Sequence, residues 1–169
     1  MTAVGQVKRA VAAAIKAAGC AAIESYSEEQ LKRYATAVAA VGTKETVIEE
    51  SSAAQYLGEK VDEATQETVS VYGRKLLLTL LVEVYAPRTL GAAGCEKAAE
   101  AVTQALMTAL PEGLKLGSLQ WGKTGWDKTT GMFRLDASAK YAAYFVAEAA
   151  EDETVFTDFV LKGTVKERE

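Results

Sequence analysis

The sequence predicts an α+β fold: an antiparallel-rich, mixed β-sheet with two main α-helices packed on it, in the order helix, strands, helix, strands. Three observations carry this. Apolar residues recur every three or four positions over about 2–18 and 92–110, the spacing that gives a helix one oily face. Period-two alternation or a dense β-branched run dominates 68–86 and 132–145, the signature of strands. No strand–helix–strand unit repeats, which sets the fold apart from doubly wound sheets.

The elements follow in order. Val4, Val7, Val11, Ile15 and Ala18 form the stripe of a first helix, with Gln6, Lys8, Arg9 and Lys16 off it, Thr2 as its cap and Gly19 as its stop. Ser27-Glu28-Glu29-Gln30 has capping-box spacing but leads only into LKRYA, so one helical turn is expected there. YATAVAAV (34–41), followed by Gly42, reads as a strand, and KETVIEES (44–51) as a second extended piece. SSAAQYLGEK then opens a polar excursion, closed by a hairpin tip at Asp62-Glu63-Ala64-Thr65.

TVSVYGRKLLLTLLVEVYA runs to Pro87 as a strand. Leu76, Leu78, Leu80, Val82 and Val84 lie on one face and Leu77 and Leu81 on the other, so it is expected to be central and covered on both sides. In the second helix Cys95, Ala98, Ala99, Val102, Leu106 and Leu110 form the stripe, Glu96, Lys97, Glu100 and Gln104 the wet face, and Pro111 with Gly113 the end. LKLGSLQW (114–121) is a short strand. Asp127-Lys128-Thr129-Thr130-Gly131 supplies a type I turn with a glycine where φ turns positive, and leads into the long alternating strand from Met132. An acidic turn at 148–154 and a final strand at 155–165 precede the charged tail 166–169.

The 169 residues are read as one domain, with about 45–72 as an arm; a domain of this size buries roughly 70% of its unfolded surface. The longest apolar run, LLLTLLVEVY, is interrupted by Thr79 and Glu83 and falls short of the ~20 residues of a membrane span. MTAVGQVKRAV holds no signal core, so conventional export is not expected. A net charge of −4 with dispersed basic residues argues against nucleic acid as a partner. Cys20 and Cys95, 75 positions apart, read as buried free thiols. The chain has no histidine, which excludes histidine-based nucleophilic catalysis and the commonest metal ligand. No catalytic, cofactor-binding or metal-ligating residue is assigned.

One motif points elsewhere. GSLQWGKT (117–124) fits the phosphate-binding pattern letter for letter through Gly117, Gly122, Lys123 and Thr124, and a P-loop nucleotide hydrolase is the reading from another class. That motif needs a helix after Thr124 whose N–H groups face the phosphates. GWDKTTGMFRL follows instead, so the match reads as chance and the stretch as strand and hairpin. Trp121 and Trp126 are candidate subunit-interface anchors, with an aromatic clamp for a small ligand as the lesser reading.

Several short stretches resemble the tail terminator, or tail completion, proteins of long-tailed phages and contractile phage-tail-like particles. They are Lys32-Arg33-Tyr34, Tyr56-Leu57-Gly58, Tyr72-Gly73-Arg74, Tyr85-Ala86-Pro87, Gly94-Cys95-Glu96, Asp127, and Gly131-Met132-Phe133-Arg134. The resemblance implies a non-enzymatic structural protein. It would form a homo-oligomeric ring, usually a hexamer, that caps the tail tube protein, ends tail polymerisation and meets the head-completion protein or, in contractile tails, the sheath. It implies assembly in the bacterial host cytoplasm and then residence in the particle. Another head–tail connector or tail component is the alternative within that class. Interface residues are expected at Tyr56, Leu57, Tyr72, Arg74, Trp121 and Trp126.

Overall fold

The computed structural model describes residues 3–24, 27–50, 56–61, 63–111 and 113–149. Helix α1 (Ala3–Ala17) is followed by strand β1 (Ala21–Ile23), the single-turn helix α2 (Glu28–Leu31), β2 (Val38–Glu50), β3 (Tyr56–Val61), β4 (Thr68–Ala86), α3 (Gly91–Thr108), β5 (Lys115–Trp121), β6 (Gly125–Asp127) and β7 (Met132–Ala149). The seven strands form one mixed sheet in the order β1-β2-β4-β7-β5, with β3 added to β4 and β6 to β7. Among the described strands only the β1–β2 pair is parallel. The fold is α+β, as the periodicities require. The expected cap Thr2, the hairpin-tip residue Asp62, most of the acidic turn, the final strand 155–165 and the tail lie outside the described residues.

Both long helices lie on one face of the sheet. Val7, Val11 and Ile15 of α1 and Cys95, Ala99, Val102 and Leu106 of α3 pack against Ala39 and Val41 of β2, the even-numbered residues 76–84 of β4, and Leu135, Ala137, Ala139 and Tyr141 of β7. The register pairs large with small: Leu76 faces Ala143, Leu80 faces Ala139 and Val82 faces Ala137. That alternation lets α3, itself lined by alanines, come close to the sheet. The Cys95 thiol donates to the Val84 carbonyl at 3.2 Å, tying the start of α3 to β4. Gly94, one turn after Leu90, makes room for that side chain at the start of α3, because a Cβ there would meet the Leu90 Cβ at 2.5 Å.

Among the described residues the other face is covered only at one end. Leu31, Val38, Ala40, Tyr85 and Met132 form a second, smaller cluster there, and α2 supplies Leu31 after the Ser27 side chain caps its turn through Gln30 N–H. Coverage on both sides is thus met only in part: Leu77 and Leu81 are half-buried and no second layer of described residues stands over them. The expected break at Gly42 is also corrected. Residues 38–50 form one strand, Gly42 pairs in register with Leu81, and a bulge between Thr43 and Glu45 absorbs the extra residue. The short β1 was not expected.

The Tyr141 hydroxyl is buried and has no hydrogen-bond partner among the described residues, and burial raises its pKa well above the ordinary phenol value. Removing an unsatisfied buried hydroxyl relieves a desolvation cost of about 1–3 kcal/mol. Tyr141→Phe is therefore expected to raise the thermal midpoint, measured by circular dichroism; a lowered midpoint would show that the hydroxyl is satisfied in solution.

Candidate functional site

The GSLQWGKT residues build no phosphate cradle among the described elements. Gly117 to Trp121 belong to β5, and Thr124 is followed by β6 and β7 instead of a helix. The Gly122 N–H donates to the Asp136 carbonyl at 2.7 Å, so it serves the sheet. The Thr124 hydroxyl donates to Glu96 Oε1 at 3.3 Å. The following turn forms as its chemistry dictates. Asp127 accepts from the Thr129 N–H at 3.0 Å and the Thr130 hydroxyl at 2.7 Å, while Gly131 takes φ 67° and donates to the Asp127 carbonyl. The Thr130 hydrogen bond holds the Asp127 carboxyl below its usual pKa.

Two surfaces remain, at opposite ends of the sheet. The first is an arm. β4 continues past the helices to Thr68, flanked by β2 and then β3 on one side and β7 on the other. Every residue from Thr43 to Glu50 is exposed, as are Tyr56 and Val61. Val47, Ile48, Tyr56 and Val61 expose 39%, 52%, 41% and 56% of their surfaces, more than solvation of an isolated strand favours. Tyr56 and Tyr72 meet edge-to-face with ring centroids 5.7 Å apart, while Leu57 is half-buried and Arg74 exposed. Four of the six expected interface residues therefore sit together on this arm.

The second surface surrounds the tryptophans. The Trp121 indole N–H donates to the Thr103 hydroxyl at 2.9 Å, and that hydroxyl donates to the Ala99 carbonyl at 2.8 Å, so the ring is pinned across the α3–β5 junction. Beside it an open groove of about 650 Å³ is lined by Ala99, Thr103, Met107, Trp121 and Leu135, with Glu96 and Glu100 at its rim. Met107 is 73% exposed. Trp126 lies apart from the groove, packed edge-to-face on Phe133 at 5.1 Å. Tyr72 pairs with Ala147 and Trp121 with Ala137 of β7, which separates the two surfaces by about 33 Å along the strand.

A polar cluster lies on the face away from the two long helices and has no local signature in the sequence. Register places Glu83 opposite Asp136 and Tyr85 opposite Arg134. The Arg134 guanidinium bonds Glu83 Oε1 at 2.6 Å and forks onto both Asp136 oxygens at 2.6 and 2.8 Å, with the Tyr85 hydroxyl donating to Glu83 at 3.3 Å. The hydrogen bond to Asp136, ahead of the attraction of Glu83, holds the Arg134 pKa above even its ordinary high value. Glu83 is 5% exposed. The one legible sign is Glu83 itself, the single charge in the run LLLTLLVEVY.

No protein-family model matches the chain, and no curated protein matches its sequence. Among solved structures, a chain from the "Virion of native gene transfer agent (GTA) particle" aligns with a TM-score of 0.47 and 18% identity, over 85% of this chain and 99% of that one.

Glu83 is buried, so removing the Arg134 guanidinium takes away the cation that it meets at 2.6 Å. Arg134→Ala is expected to lower the free energy of unfolding by about 3 kcal/mol. Adding Glu83→Gln to that variant should recover part of the loss, since a buried carboxylate that has lost the Arg134 cation is replaced by a neutral amide. Urea denaturation of these two variants and of Glu83→Gln alone closes the cycle, and additive losses would show that the pair is not coupled.

Proposed function

We propose that this chain is a non-enzymatic structural component of a phage-like particle. In this reading it forms a homo-oligomeric ring, of six subunits, that caps the tail tube, stops its polymerisation and offers its other side to the head-completion protein or to a sheath. The observation that carries the proposal is the arm: four strands, β2, β3, β4 and β7, extend beyond the helical layer and expose Val47, Ile48, Tyr56 and Val61 without a core of their own among the described residues. Such a ribbon is poorly stable alone and gains stability by packing on another surface. The resemblance of residues 32–134 to tail terminators supports the same reading.

The geometry of the two surfaces supports a ring over a symmetric dimer. An arm at one end and a tryptophan-lined groove at the other are different patches, and a contact between unlike patches that closes by rotation makes a ring. Expected in native mass spectrometry of the purified chain is a hexamer, and electron microscopy of its mixture with isolated tail tubes should show one ring at a tube end and no further tube growth. A monomer at high concentration, both alone and with tubes, would sink the proposal.

A further inference from the structure

Among the described residues, β1 pairs only with Val38 to Ala40, so the outer edge of β2 from Val41 to Glu50 has no strand beside it. At the far side of the sheet, β5 pairs only with β7. Two open edges on one chain are a template for pairing with another. We infer that the β2 edge of one copy, over Glu45 to Glu50, adds to the β5 edge of the next copy over Ser118 to Trp121, with Ile48 seated in the groove between α3 and Trp121. This rests on the ring reading above and names the surfaces that would make it.

Three observations converge on that pairing. The bulges at Thr43/Glu45 and at Leu116/Ser118 end the regular part of each edge. They leave short matching runs that fix a register instead of permitting open-ended addition.

The second observation is which side chains face which way. On β2, Thr46, Ile48 and Glu50 pair with Leu78, Leu76 and Arg74, the even-numbered set whose buried members carry the helices. On β5, Trp121 pairs with Ala137 on that same face. A strand added beside β5 with its helix-facing side chains aligned therefore brings Ile48 over the 650 Å³ groove lined by Ala99, Met107 and Trp121. Ile48 is 52% exposed and Met107 73% exposed, so each has apolar surface to lose to water in the free chain.

The third is charge. Residues 43–50 carry Lys44 against Glu45, Glu49 and Glu50, whereas 118–131 carry Lys123 and Lys128 against Asp127. Asp127 is already bonded within its own turn, and Lys140, opposite Ser118, adds a further exposed positive charge. At the groove rim Glu96, which accepts from Thr124, and Glu100 are acidic, so the basic set is confined to the β5 edge and the turn after it. The acidic edge and the basic edge steer unlike ends together and set like ends apart.

Paired cysteines test this in the full chain. Cys20 and Cys95 are buried, and burial raises both thiols, Cys95 to about 11, so the native cysteines stay silent under mild oxidation at neutral pH. Ile48→Cys with Met107→Cys in one chain is expected to give a ladder of disulfide-linked oligomers ending at the ring, with wild type and both single variants remaining monomeric on denaturing gels. Lys123→Glu with Lys128→Glu, two surface changes, should raise the concentration needed for assembly at least tenfold, and adding Glu49→Lys with Glu50→Lys should restore it. A dimer from Ile48→Cys alone would show that like edges pair and overturn the inference. So would assemblies that form without cross-links and ignore the charge reversals, a result that leaves the ring reading standing. Absence of any wild-type assembly, alone or with tail tubes, would remove both.

Discussion

The organisation of this chain depends on a mismatch of length. β4 has 19 residues and α3 has 18, but a strand advances about 3.3 Å per residue and a helix about 1.5 Å. The central strand is therefore about 60 Å long and its principal covering helix about 27 Å. From Leu76 to Ala86 the even-numbered residues of β4 are buried. From Thr68 to Arg74 the strand has outrun its helices. Backbone pairing continues there because β3 and β7 keep the ladder satisfied on both sides, and hydrogen bonding without burial leaves an arm that is ordered in geometry and short of apolar contacts.

The opposite end of β4 is held by register. Because side chains alternate between faces, a slip by one residue would drive Glu83 into the helix-packed core and lift Val82 and Val84 out of it. The guanidinium of Arg134, shared between Glu83 and Asp136, makes the correct register the one in which the buried carboxylate is neutralised. The cluster adds little net stability over an apolar substitute. Its contribution is to penalise the alternatives. A strand of leucines and valines has few other marks by which to tell one pairing from the next.

Much of this was legible in the sequence, for reasons that can be stated residue by residue. The stripes of α1 and α3, the alternation of β7 and the Asp127–Gly131 turn each rest on contacts within a few residues, and local pattern specifies them. The joined strand 38–50 was misread because Gly42 looks like punctuation in a sequence, whereas in the sheet it sits opposite Leu81 with an ordinary extended backbone. β1, at three residues, is too short to show a period. The Arg134 cluster depends on which residues of β4 and β7 face each other across about fifty positions of chain, and no local signal carries that. The expected interface residues separated into Tyr56, Leu57, Tyr72 and Arg74 on the arm and Trp121 and Trp126 at the other end, a division that only the strand register reveals.

That division bears on how an assembly could close. A single adhesive patch would pair with its own copy and stop at two subunits; an arm and a groove about 33 Å apart along β7 cannot both be satisfied within a dimer of like patches. In the proposed ring each subunit has one donor end and one acceptor end, and the angle between them sets the number of copies. The sheet's own twist contributes to that angle, since strands added at successive edges rotate by about 20–25° relative to one another. Bulges at Thr43/Glu45 and Leu116/Ser118 add local bends at both edges. Features that read as irregularities within one chain are, on this account, the places where the curvature between subunits is determined.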